Sequence, residues 1–112
     1  LSNAVFYKEK IIKEELEKIA NKYKDEYEIL VRGRGLAYGF EIRSDKSIAG
    51  EISEYAFAEK LICETCGSEG HVVKFLPPLV ISEDILREGL KRFETAVDKL
   101  FADKKMKLSE AF

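Results

Sequence analysis

Leu36, Tyr38, Phe40 and Ile42 alternate with Ala37, Gly39, Glu41 and Arg43. Successive side chains of a strand point to opposite faces, so this run predicts a strand with one apolar face. Such a face needs a second layer to cover it. The same chain supplies candidates on both sides. Val5, Ile12, Leu16, Ile19 and Tyr23 recur at spacings of three, four or seven among Lys, Glu and Asn, which predicts an amphipathic helix over residues 5–24. Leu86, Leu90, Phe93, Val97 and Leu100 form a longer stripe, which predicts a helix from Ser82 to about residue 103. Ser82 can cap it, and Glu83 and Asp84 oppose its dipole.

Between these helices the pattern changes repeatedly. E-I-L-V-R (28–32) is a short β-rich run, and Gly33 and Gly35 predict a tight turn into the alternating strand, so the two strands pair antiparallel. Gly39 marks a close approach of another backbone. S-D-K-S (44–47) opens a second helix with Ile48, Ile52, Tyr55, Ala56 and Leu61 as its stripe, ending near Lys60; Ser44, Asp45 and Ser47 are its candidate caps. L-I-C-E-T (61–65) and V-V-K-F-L (72–76) predict two more strands around the loop G-S-E-G. Pro77 and Pro78 stop the second of these, and L-V-I (79–81) continues extended. The predicted fold is an α+β two-layer sandwich: a small, mostly antiparallel sheet of three or four strands with long helices on one face. Residues 1–4 read as a cloning scar, 5–103 as the domain, and 104–112 as a frayed tail or one that packs elsewhere.

Composition narrows the function classes. The chain has 112 residues, enough for one core, and a formal net charge of -2. No basic excess points to nucleic acid, and no apolar run approaches the roughly 20 residues that span a bilayer. No membrane partner is therefore expected. Two cysteines in this length suggest a reducing compartment, read as the cytoplasm.

The candidate sites are few. Cys63, Cys66 and His71 offer three metal donors and no second pair, where a structural zinc needs four. The C-x-x-C lies at a strand end, away from any helix N-terminus that would activate a thiol. The residues alone favour Cys63 in the core, Cys66 on a loop and His71 facing water. R-G-R-G (32–35) opens a strand, whereas a phosphate-binding glycine turn opens a helix. Lys74 is the one charge in an otherwise apolar strand; it projects from the outer face or points into a shared cleft. No catalytic set and no metal site are expected.

V-R-G-R-G-L-A-Y-G-F-E-I (31–42) and V-V-K-F-L-P-P-L-V-I-S-E-D-I-L-R-E-G-L (72–90) resemble the opening and the end of the C-terminal small domain of class III aminotransferases, pyridoxal-phosphate enzymes of fold type I. L-I-C-E-T-C-G-S-E-G-H-V-V-K (61–74) is similar to the corresponding segment of the diaminobutyrate–2-oxoglutarate subgroup of the ectoine pathway, with Cys66 where a serine is usual. The resemblance implies a fragment whose cofactor-holding lysine lies in an absent large domain. That domain would be its partner, within a parent that is a homodimer. It further implies no cofactor in the fragment, pyridoxal phosphate in the parent, and no catalysis by the fragment alone. In the family resembled, many members carry an arginine at the position of Lys74, near the substrate carboxylate or its glutamate gate, and the resemblance implies that Thr65 and Cys66 lie in a loop that approaches the active site or the dimer partner. An ornithine- or 4-aminobutyrate-type aminotransferase, a stand-alone small α+β binding module, and a zinc module built on Cys63, Cys66 and His71 are the alternatives.

Overall fold

In a computed structural model of the chain, residues 3–67, 70–77 and 81–111 are described. Helix α1 spans Asn3–Lys22, β1 Ile29–Arg34, β2 Ala37–Ile42, α2 Ile48–Ala58, β3 Glu64–Cys66, β4 Val72–Phe75 and α3 Glu83–Ala111. The strands form one four-stranded sheet in the order β1-β2-β4-β3, and every neighbouring pair is antiparallel. This is the expected two-layer α+β architecture. The predicted extended continuation through Leu79 and Val80 lies outside the described residues.

The period-two run behaves as its spacing demands. Tyr38, Phe40 and Ile42 are buried, while Ala37, Gly39 and Glu41 face away from the helices. The register continues the inner face across the sheet: Val31 faces Phe40, Phe40 faces Val73, and Val73 faces Thr65. Onto this face α1, α2 and α3 lay Ile12, Leu16, Ile19, Ile52, Leu86, Phe93, Val97 and Leu100, all buried. The Phe93 ring meets Phe40 edge-on at 5.2 Å and Phe75 at 6.2 Å, so one α3 residue joins two strands.

The hairpin turn needs its glycines. Gly35 has φ +62°, and a Cβ on Gly33 would come within 2.3 Å of the Ala37 carbonyl oxygen. At Gly39 the close neighbour is a side chain and not a backbone: an added Cβ would meet Val72 Cγ1 at 2.9 Å.

The α2 ends depart from simple capping. No side chain caps its start. Asp45 Oδ1 instead accepts from the Ser47 amide (3.0 Å) and hydroxyl (2.7 Å), and Ser44 Oγ accepts from the Glu28 amide at 3.1 Å. Its far end closes with Leu61 N donating to Ala56 O and Lys60 N to Phe57 O, both at 2.9 Å, which puts Lys60 at φ +64°.

α3 outruns the expected stop near residue 103 and continues to Ala111. The apolar stripe fades after Phe101, but ion pairs reach the last turns. Lys104 pairs with Glu51 of α2 at 3.1 Å, and Lys105 with Glu26 before β1 at 3.4 Å.

Candidate functional site

One face of the sheet carries no helix, and Lys74 stands on it. Its neighbours Val73 and Phe75 are buried beneath α2 and α3, so alternation turns Lys74 outward on β4. Across the ladder it faces Gly39 on β2 and Glu64 on β3. With no side chain on Gly39, that flank stays flat; on the other, Ile62, Glu64 and Leu76 join Lys74 around an open hollow of about 170 Å³. Lys74 is half-buried, and it has no ion pair among the described residues. A lysine stem lying on apolar neighbours with its ammonium at the rim suits a point-charge contact to an anion.

The other two residues singled out from sequence part company. Thr65 faces Val73 and Cys66 faces Val72, so only Cys66 shares the outer face with Lys74. Both are exposed on the edge strand. The structure thus brings Lys74 and Cys66 to one face and sets Thr65 on the other. Glu64 was the residue missed in this arrangement. Folding 61–76 as an antiparallel hairpin about the G-S-E-G loop pairs it with Lys74, so the signal was present in the loop's position.

Further along the same face, Glu41 accepts from Arg32 Nη2 and from Arg43 Nε, each at 2.7 Å. Those bonds, from Arg32 first and Arg43 second, hold its carboxyl below the ordinary range. Arg32 therefore finds its carboxylate within its own sheet.

The cysteines and histidine do not converge on one ligand position. Cys63 is buried and free, its main-chain oxygen accepting from Ser53 Oγ at 2.6 Å. Burial pushes its thiol up to about 11, against the thiolate that metal binding or exchange chemistry requires. His71 is half-buried where sequence reasoning expected it in water. Its Nδ1 is covered and lacks a hydrogen-bond partner among the described residues, and the ring crowds Gly67, whose added Cβ would come 2.8 Å from Cε1. Among the described residues no group of three or more His, Cys, Asp and Glu side chains is placed to hold a metal ion. No described helix is long and apolar enough to cross a membrane.

Comparison with known proteins gives this geometry its context. The sequence matches the family "Aminotransferase class-III" over residues 1–97. Diaminobutyrate–2-oxoglutarate transaminase of Wolinella succinogenes is 38% identical over 102 residues, covering 91% of this chain and 23% of that protein. The transaminase of the same name from Oceanobacillus iheyensis is 40% identical over 87 residues, covering 78% of this chain and 20% of the relative. The chain thus spans about a fifth to a quarter of the length of these relatives. N-acetylornithine aminotransferase of Stenotrophomonas maltophilia superposes with a TM-score of 0.78 at 28% identity, over 89% of this chain and 27% of its own. The ornithine aminotransferase of Toxoplasma gondii, at 19% identity, shares the fold with a TM-score of 0.77. The family match covers most of the chain, and the chain belongs to the class III aminotransferase family.

Proposed function

We propose that this chain is the C-terminal small domain of a diaminobutyrate–2-oxoglutarate transaminase, and that it supplies part of the substrate-binding wall and none of the cofactor site. The parent enzyme would move an amino group from glutamate to aspartate 4-semialdehyde, giving 2,4-diaminobutyrate and 2-oxoglutarate. The observation that carries the reading is the 38% identity to the Wolinella succinogenes enzyme across 91% of the chain. Use of the product for ectoine, a cytoplasmic location and a homodimeric parent belong to the same reading.

Pyridoxal phosphate, which the family implies, does not fit the residues described. It needs a lysine aimed into an enclosed cleft and a phosphate cradle. Lys74 sits in an open hollow beside Glu64, and the R-G-R-G turn leads into β2, with no helix N-terminus behind it. No chemical step is therefore assigned to this chain. Lys74 is assigned the substrate carboxylate, which it would hold as a point charge. Thr65 and Cys66, which stand on the edge strand and not in a loop, lie near that contact, Cys66 on the same face.

Two measurements test this. Adding pyridoxal phosphate to the 112-residue chain should give neither a lysine-linked visible absorbance nor transamination; a stable chromophore with turnover would refute the reading. In a full-length enzyme carrying this segment, Lys74→Met should raise the KM for glutamate roughly 10- to 100-fold, the worth of one charge-assisted contact. An unchanged KM would remove Lys74 from the site. An ornithine-type specificity is the second reading, supported by the likeness to the Stenotrophomonas maltophilia enzyme at 28% identity. Comparing aspartate 4-semialdehyde with N-acetylglutamate 5-semialdehyde as amino acceptors would separate the two.

A further inference from the structure

Large apolar side chains are exposed unevenly over this molecule. Ile62, Leu76 and Ile85 are 82%, 60% and 63% exposed. They come from the α2–β3 link, the residue just after β4 and the first turn of α3, and they line one groove of about 230 Å³ together with Phe75, Leu86 and Gly89. Ile62 and Leu76 also line the Lys74 hollow, so groove and hollow form one continuous surface.

Phe6 and Tyr7, exposed on the first turns of α1, stand at the same end. Tyr7 lies against Arg87, while Lys22 bonds Asp98 at 3.1 Å, so α1 and α3 run in the same direction. At the opposite end Met106 and Leu108 are exposed too, but they stand among Lys104, Lys105 and Lys107.

We propose that the surface made by Ile62, Leu76 and Ile85 beside Lys74 is where the remainder of a full-length class III aminotransferase chain docks. This rests on the functional reading above and adds the location of the contact. Two observations favour that occupant. The chain spans only 23% and 20% of the relatives' lengths, so most of such an enzyme lies outside these residues. The exposed apolar area of the three side chains is on the order of 400 Å², a patch large enough to mark an interaction site. The rest of such an enzyme is tethered to this patch by its own backbone, so its effective concentration is high, whereas a second copy would have to bind from free solution. A second copy of this chain is therefore the weaker occupant. Seated this way, the contact would close the open hollow and bring the Lys74 ammonium to the boundary between the two parts.

The test places these 112 residues in the Wolinella succinogenes relative, in place of the segment they match. Hydrogen exchange is compared between that full-length chain and the 112-residue chain alone. Protection over 61–63 and 83–87 should rise at least tenfold in the full-length chain and fall back in Ile62→Asp/Ile85→Asp, while Met106→Asp/Leu108→Asp leaves it unchanged. Transaminase turnover without that protection, or protection gained only over 104–110, overturns the surface and leaves the functional reading standing. A folded full-length chain with no turnover on glutamate and aspartate 4-semialdehyde overturns the functional reading itself. A separate measurement covers poor folding of the hybrid. An apolar fluorescent dye on the isolated chain should lose at least half its signal in Ile62→Asp/Ile85→Asp, with the melting temperature unmoved. A signal that does not change overturns the proposal, as does a dimer of the isolated chain abolished by the same pair.

Discussion

Lys60 shows how a single residue can sit against its own preference. The close of α2 requires φ +64° there, a conformation that costs a side-chain-bearing residue about 1 kcal/mol. Lys60 is exposed, so nothing else is lost by removing its side chain. Lys60→Gly should therefore stabilise the chain by about 0.5–1 kcal/mol in urea unfolding; a loss of stability would mean that the side chain contributes something the geometry does not show. Cys63 offers a pH-dependent counterpart. Its thiol ionises at about 9 in the unfolded chain and at about 11 in the folded one. Because the folded value is the raised one, the stabilisation is complete below 9 and is lost as pH climbs through 9–11. Between pH 8 and 10 the stability gap between the native chain and Cys63→Ala should narrow by about 1 kcal/mol. A thiol reagent under native conditions should meanwhile label Cys66 quickly and Cys63 slowly.

At the scale of elements, the sequence was most readable where one face of an element does all the burying. The α3 stripe and the β2 alternation predicted Phe93, Leu100, Phe40 and Ile42 as core, and all four are buried. Legibility failed where the hold is non-local. The last turns of α3 are fastened by Glu51 and Glu26, partners 53 and 79 residues away that no local period reveals. The same limit applied to β3, expected at 61–65 and found at Glu64–Cys66. Its ladder is set by β4, while the Leu61 amide is already committed to closing α2. The candidate site divides in the same way: Lys74 stood out as a charge in an apolar strand, but Glu64 became visible only once the hairpin was closed. Deleting 104–112 should lower helical circular dichroism yet cost no more than about 1 kcal/mol, since solvent-exposed ion pairs are weak. A loss above about 3 kcal/mol would show that the tail packs in earnest. The Glu41 triad makes an acid-side prediction. Its depressed carboxyl contributes stability above the unfolded value of 4.5 and loses it as pH falls, so Glu41→Gln should be slightly less stable than the native chain at pH 7 and equal to it near pH 2.

For the molecule as a whole, one core joins all three helices to the sheet, and Phe93 lies at its centre. Phe93→Ala removes the ring that touches both Phe40 and Phe75, and should cost about 3–5 kcal/mol. Against the 5–15 kcal/mol of a typical domain, that leaves little margin, and thermal unfolding should show it directly. Ile62→Ala, at an 82% exposed site, should change stability by less than about 0.5 kcal/mol in the isolated chain.

The side-by-side run of α1 and α3 bears on how the chain can be made. Lys22 and Tyr23 find Glu94 and Asp98 only after more than 70 intervening residues have been synthesised. While a ribosome is still adding α3, the apolar faces of α1, α2 and the sheet lack the part of their cover that Phe93, Val97 and Leu100 supply, and the surface left bare stands open to chaperones or to neighbouring nascent chains. Assembly of the core is thus postponed until the last helix has cleared the exit tunnel, and slowing translation before residue 83 should lengthen the window for aggregation without altering the finished molecule.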